Sequence, residues 1–126
     1  MSGSSIDDVL AESRRTLERV EPAQLETEVA GGALVVDIRP VENRDAEGLL
    51  PGALVVDRNV LEWRLDPSSP HRIPESDDPD RRVIVVCNEG FASSLAAETL
   101  QRVGLRRATD LVGGYRAWQE WRSTDR

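Results

Sequence analysis

Three apolar runs constrain this chain more than any other feature. Leu34-Val35-Val36, Ala53-Leu54-Val55-Val56 and Val83-Ile84-Val85-Val86 are continuous rather than alternating. A strand with one wet face alternates apolar and polar residues, whereas a strand buried on both faces reads as an unbroken run. The runs therefore predict a parallel sheet covered by helices on both faces. The first strand spans 33–38 and stops at Arg39-Pro40, the second spans 53–56 after the Leu50-Pro51-Gly52 turn, and the third spans 83–86. A fourth short strand is expected over 108–112.

The intervening segments read as helices. Ile6, Val9 and Leu10 fall at i, i+3, i+4, and Leu17 and Val20 continue a rough stripe, so 6–20 is expected to be helical. Pro22 suits a first helical position, and 24–30 follows as a short helix ending at Gly31-Gly32. Residues 59–65 form a further helix, with Leu61 and Leu65 on one face. Residues 93–103 form the clearest helix, with Leu95, Thr99, Leu100 and Val103 on one face and Gly104 as its stop. A last helix covers 115–121 after Gly113-Gly114. The stretch 66–81 is rich in Pro, Ser and Asp and reads as a surface loop. Strands alternating with helices give the α/β class. The chain divides into an N-terminal helical extension, 1–20, and one α/β domain, 21–126, of ordinary single-domain size. The extension is expected to pack on the domain or to mediate self-association.

Composition narrows the function. Of the 126 residues 31% are charged, and the net charge of −7 disfavours a phosphate-backbone partner, so no nucleic-acid partner is expected. No apolar run approaches the roughly 20 residues of a membrane span, so no membrane partner is expected either. Residues 1–8 carry neither a basic nor an apolar leader segment. Cys87 is the only cysteine and His71 the only histidine, so an internal disulfide is impossible and no metal centre or other cofactor is expected. Together these features point to a reducing, cytoplasmic location.

The stretch with chemical content is Cys87-Asn88-Glu89-Gly90-Phe91-Ala92-Ser93-Ser94, directly after the third strand. In an open α/β sheet, ligands bind at the carboxyl ends of the strands. A loop there, with Gly90 allowing positive φ and a helix N-terminus behind it, turns backbone N–H groups toward a central anion. A thiol in that nest is expected to ionise more readily than the free-cysteine value of about 8.5, and thiolate is the nucleophile. The plainer reading is that Cys87 is a small buried apolar residue.

Four motifs, in order and at family-like spacing, resemble the rhodanese (sulfurtransferase) family over roughly residues 22 to 122. They are Val35-Val36-Asp37-Ile38-Arg39; Gly48 through Leu50-Pro51-Gly52-Ala53; Val85-Val86-Cys87-Asn88-Glu89-Gly90; and Leu111-Val112-Gly113-Gly114-Tyr115-Arg116-Ala117-Trp118. The resemblance implies the family's rhodanese-like parallel-sheet domain. It also implies a persulfide on Cys87, the catalytic residue, during transfer of sulfane sulfur to a thiol or cyanide. Asn88, Glu89, Gly90, Phe91, Ala92 and Ser93 would form the active-site and substrate-binding loop, and Asp37 and Arg39 would support neighbouring loops. The implied partners are a small sulfur donor such as thiosulfate and a thiol acceptor, protein thiols included.

The loop departs from the family in one respect. Ala92 stands where the family commonly has arginine, no basic residue lies between Cys87 and Ala92, and Glu89 adds a negative charge. If that charge is close it disfavours thiolate and repels a dianionic donor, and if it points to solvent it does little. Ser93 and Ser94 either cap the following helix or bind a sulfur oxyanion. Phe91 would give the pocket mouth an apolar side. Trp118 and Trp121 read as packing residues, and a Cys87–His71 dyad would need a proximity the sequence does not display. The alternative function is a non-catalytic or weakly active rhodanese-like binding or regulatory module. A phosphatase ranks last, because the loop offers no guanidinium for a phosphate.

Overall fold

The computed structural model describes residues 3–124; Met1, Ser2, Asp125 and Arg126, the ends of the two predicted segments, lie outside the described residues. Four strands, β1 (Leu34–Asp37), β2 (Leu54–Val55), β3 (Val83–Val86) and β4 (Thr109–Asp110), form one sheet in the order β2-β1-β3-β4. All pairings are parallel. β1 and β3 lie side by side in full register, from Leu34 opposite Val83 to Asp37 opposite Val86. Both are buried along their whole length, as continuous apolar runs require.

Successive residues of a strand face opposite sides, so each run feeds two cores. Leu34, Val36, Val83 and Val85 pack with Leu61, Leu65, Ala96, Ala97 and Leu100 on one face. Val35, Ile84 and Val86 pack with Leu25, Tyr115 and Trp118 on the other. Each fully buried branched side chain stabilises the fold by about 1.5–3 kcal/mol relative to exposure. Cys87 continues the Val83, Val85 alternation and joins the first core.

Among the described residues, six α-helices surround the sheet: α1 (Ile6–Arg14), α2 (Leu25–Ala30), α3 (Val41–Glu47), α4 (Leu61–Leu65), α5 (Ala92–Arg102) and α6 (Gly114–Thr124). Short 3-10 turns precede α2 and α4. No helix among the described residues is long and apolar enough to cross a membrane.

Five local expectations change. The 53–56 run is not buried on both faces: β2 covers only Leu54–Val55 at the edge of the sheet, and Val55 is 52% exposed. The first helix ends at Arg14 rather than Val20, and the chain beyond it runs to a parallel bridge between Val20 and Leu111 beside β4. Leu17 and Val20 are buried there instead of continuing a helical stripe. In α5 the face turned to the sheet is Ser93, Ser94, Ala96, Ala97 and Leu100; of the predicted face of Leu95, Thr99, Leu100 and Val103, Leu100 is buried in the core and Val103 packs at its edge. Small side chains let the helix lie close to the strands, while Leu95 and Thr99 turn toward α1. The 66–81 segment holds no helix or strand but is not wholly surface. Ile73 sits in the core, and the buried Ser76 hydroxyl donates to the Leu65 carbonyl. Finally, α3 occupies a stretch for which no element was expected.

Candidate functional site

The chain steps from β1 outward to β2 and then crosses back over β1 to β3. The order therefore reverses between β1 and β3, and Cys87 lies at the carboxyl end of β3 beside that reversal, where open α/β sheets bind ligands.

The loop after Cys87 curls around its sulfur. The Gly90 N–H points at Sγ from 3.1 Å and the Ser93 N–H from 3.4 Å. Ser93 lies in the first turn of α5, whose leading N–H groups lack carbonyl partners within the helix. The N-cap residue Phe91 gives α5 no side-chain cap, and the Cys87 sulfur takes that place by accepting from the Ser93 N–H. Gly90 takes φ of +88° to make the curl, as the sequence requires. Two N–H dipoles and a helix N-terminus aimed at one atom favour negative charge on that atom.

The loop is held in place from α6. Tyr115 N–H donates to the Cys87 carbonyl at 2.8 Å, and Arg116 N–H donates to the Asn88 carbonyl at 3.1 Å. The two backbones are so close that a Cβ on Gly114 would lie 2.5 Å from the Cys87 oxygen, and one on Gly90 would lie 2.7 Å from Gly113 N. The Gly113-Gly114 pair is thus a contact surface as well as a turn.

A buried network lies on the α5 side. Asp110 has no exposed surface, and both Ser93 Oγ and Ser94 Oγ donate to its Oδ2 at 2.7 Å. Because the Ser93 hydroxyl hydrogen goes to Asp110, its oxygen accepts from the Cys87 thiol at 3.2 Å. Arg19 completes the carboxylate with bonds of 2.8 and 3.1 Å and reaches the Gly90 carbonyl at 3.1 Å. Arg14, the last residue of α1, donates to the same carbonyl at 2.7 Å and to Ser94 Oγ at 2.9 Å. Burial, then the charge of Arg19, holds the Arg14 guanidinium below its ordinary range, against the opposing pull of Asp110 and Cys87. The serines were expected to cap the helix or to bind an oxyanion; their hydroxyls instead tie α5 to β4.

A second, exposed cluster lies on the outer flank of the loop. Glu89 pairs with Arg116 at 2.6 Å, and Arg116 also reaches Glu47 at 3.1 Å. Asn88 Nδ2 donates to Glu47 as well, at 3.1 Å. Hydrogen bonding from Arg116, then from Asn88, keeps the Glu47 carboxyl below its ordinary range, and Glu47 in turn raises Arg116. Glu89 is therefore neither a free charge beside the sulfur nor an idle one in solvent, since Arg116 holds it.

The structure places the remaining predicted residues plainly. Asp37 and Arg39 form a buried ion pair of 2.9 Å; Arg39 also donates to the Gly48 carbonyl and lies 3.9 Å from the centre of the Tyr115 ring. That arrangement braces the turn after α3 against α6. Phe91 and Ala92 are exposed at the loop's tip, with the Arg14 guanidinium 5.8 Å from the Phe91 ring centre. Trp118 is a core residue stacked at a tilt on Tyr115. His71 is anchored through its backbone to Ser69 and Arg64, and among the described residues no hydrogen bond joins it to Cys87. Asp110, Arg14, Arg19, Glu47 and Arg116 were not among the predicted site residues. Arg116 lay inside a quoted motif, and the other four carry no local pattern that marks them.

Comparison with known proteins finds relatives of this fold. A structure from Rhodopseudomonas palustris CGA009, described as a protein of unknown function and possible tyrosine phosphatase, superposes with a TM-score of 0.84 at 30% identity. That match covers 95% of this chain and 92% of that one, and so takes in most of the first twenty residues. The human single-domain sulfurtransferase matches with a TM-score of 0.69 at 27% identity, over 81% of this chain and 95% of that one. A rhodanese homologue from the extremely thermophilic bacterium Thermus thermophilus matches with a TM-score of 0.58 at 30% identity, over 79% of this chain and 99% of that one. The family model for the rhodanese-like domain matches residues 21–120, from the turn before α2 into α6, and the chain belongs to that family.

Proposed function

We propose that this protein is a sulfurtransferase that carries sulfane sulfur as a persulfide on Cys87. The observation that carries the reading is the convergence of the Gly90 and Ser93 N–H groups on the Cys87 sulfur at the sheet's switch point. The thiolate attacks the outer sulfur of a donor such as thiosulfate; a new S–S bond forms, and sulfite leaves with the electron pair of the bond that breaks. The persulfide anion then gives its terminal sulfur to cyanide or to an acceptor thiolate, protein thiols included, and the Cys87 thiolate is regenerated. A loop that stabilises negative charge at this position serves both the attacking thiolate and the loaded persulfide.

The outer cluster bears on the donor. Two carboxylates and one guanidinium leave Glu47, Glu89 and Arg116 with one net negative charge. That charge disfavours a dianion relative to a neutral or singly charged donor. Purified protein is exposed separately to thiosulfate, 3-mercaptopyruvate and polysulfide, and its intact mass is read. The expected result is a gain of one sulfur atom, removed by reductant, absent in Cys87→Ser, and slowest with thiosulfate.

A second reading is a binding or regulatory module with weak chemistry. The burial of Cys87, at 8% exposure, and the lack of a cation within the loop itself favour it. Under that reading no donor adds sulfur, and Cys87→Ser leaves the biological effect intact.

A further inference from the structure

The family match begins at residue 21, yet the Cys87 loop is bonded to residues before it. Arg14 and Arg19 both donate to the Gly90 carbonyl, the residue whose N–H points at the sulfur. Arg14 holds Ser94, Arg19 holds Asp110, and Asp110 holds the Ser93 hydroxyl that meets the thiol. α1 itself is fixed on α5, and Thr16 and Gln101 exchange hydrogen bonds of 2.7 and 3.1 Å just beyond it.

The charges of this inner cluster do not cancel. Arg14 and Arg19 carry two positive charges and Asp110 one negative charge, which leaves one net positive charge against a loop that has no cation of its own. Asp110 and Arg19 satisfy each other bidentately, so the surplus belongs to Arg14, whose acceptors are a carbonyl and a hydroxyl. The other charged groups around the loop are Glu89 in the loop, Glu47 on α3 and Arg116 on α6, all exposed or partly exposed, and the Asp37–Arg39 pair at the end of β1, which is internally neutral. Coulomb interactions persist better at the buried side than across the solvated flank.

We propose that Arg14, from the segment that precedes the family match, is a positioning residue for sulfur chemistry at Cys87. It supplies the positive charge that the loop lacks and holds the carbonyl of Gly90, the residue whose N–H faces the sulfur. Its charge favours the anionic form of Cys87, thiolate or persulfide. The inference rests on the reading of Cys87 as a reactive thiol, but its test needs no sulfur donor.

The experiment is the rate of Cys87 alkylation by iodoacetamide as a function of pH in the full chain, for the wild type, Arg14→Gln and Arg14→Lys. Arg14→Gln is expected to react about three- to ten-fold more slowly at pH 7, with its rate profile moved to higher pH. Arg14→Lys keeps the charge but not the two-donor fork, and is expected to react at a rate between those of wild type and Arg14→Gln. Thermal melts verify folding, and Arg14→Met replaces Arg14→Gln should the latter lose its cooperative transition. A neutral variant whose profile superimposes on wild type overturns the proposal. So does a lysine variant as impaired as the neutral one, which would assign Arg14 a purely geometric part. Failure to load sulfur with a normal Arg14 effect would instead count against the transfer reading alone.

Discussion

The two charged clusters around the Cys87 loop are alike in composition and opposite in character. The inner one (Arg14, Arg19, Asp110, with Ser93 and Ser94) is largely buried and keeps one surplus positive charge. The outer one (Glu47, Glu89, Arg116) is exposed, screened by solvent, and keeps one surplus negative charge. Burial decides what each can do. Charges held in a low dielectric are costly to leave unpaired and act strongly on their neighbours, whereas solvated pairs contribute little to stability. Under the proposed function, the inner cluster holds the loop and favours an anionic sulfur, and the outer one biases which donor approaches.

The comparison breaks most readily at Asp110. Its removal strands the Arg19 charge and leaves two buried hydroxyls without their acceptor. Asp110→Ala is expected to destabilise the protein by about 3 kcal/mol, read from urea denaturation midpoints. A loss below about 1 kcal/mol would mean that the inner cluster does not hold the fold.

Glu89→Gln probes the outer cluster. It removes one exposed charge paired only with Arg116, so the denaturation midpoint should not move. Loading from thiosulfate should rise about two- to three-fold, while loading from a neutral donor stays level. An equal gain with both donors would detach Glu89 from donor choice.

The smallest effect is a pH dependence. Hydrogen bonding from Arg116 depresses the Glu47 carboxyl relative to the unfolded chain. A depressed carboxyl contributes stability that is present above its unfolded value of about 4.5 and lost as pH falls through the lower folded value. Carboxyl-carbon NMR should place the Glu47 titration below 4.5, and Arg116→Gln should move it upward. An unchanged titration in that variant would mean that Arg116 is not the partner that matters.

The sequence displays the Cys87 loop far better than either cluster that flanks it. β3 and the Cys87 loop are legible because four consecutive branched residues end in Cys87, and because Gly90 and Gly113-Gly114 mark conformations open to glycine. α3 is not legible. Val41-Glu42-Asn43-Arg44-Asp45-Ala46-Glu47 offers one large apolar residue, and that residue is 51% exposed, so no periodic stripe exists to find. Ser93 and Ser94 look like caps because serine at a helix start usually is one. They are diverted because the Cys87 sulfur fills the cap position and a buried carboxylate waits 16 and 17 residues away. Arg14 lies 76 residues from Gly90 and 80 from Ser94. No local pattern joins such positions; only the packing of α1 on α5 does.

The central claim is that sulfur is carried on Cys87 and handed on. Its most direct test loads the protein with donor, removes the excess, and follows intact mass and thiocyanate together after addition of cyanide. The account predicts one added sulfur per chain, mapped to the Cys87 peptide, lost in step with the appearance of an equal amount of thiocyanate. Absence of any added sulfur, or sulfur that remains bound while no thiocyanate forms, would contradict it.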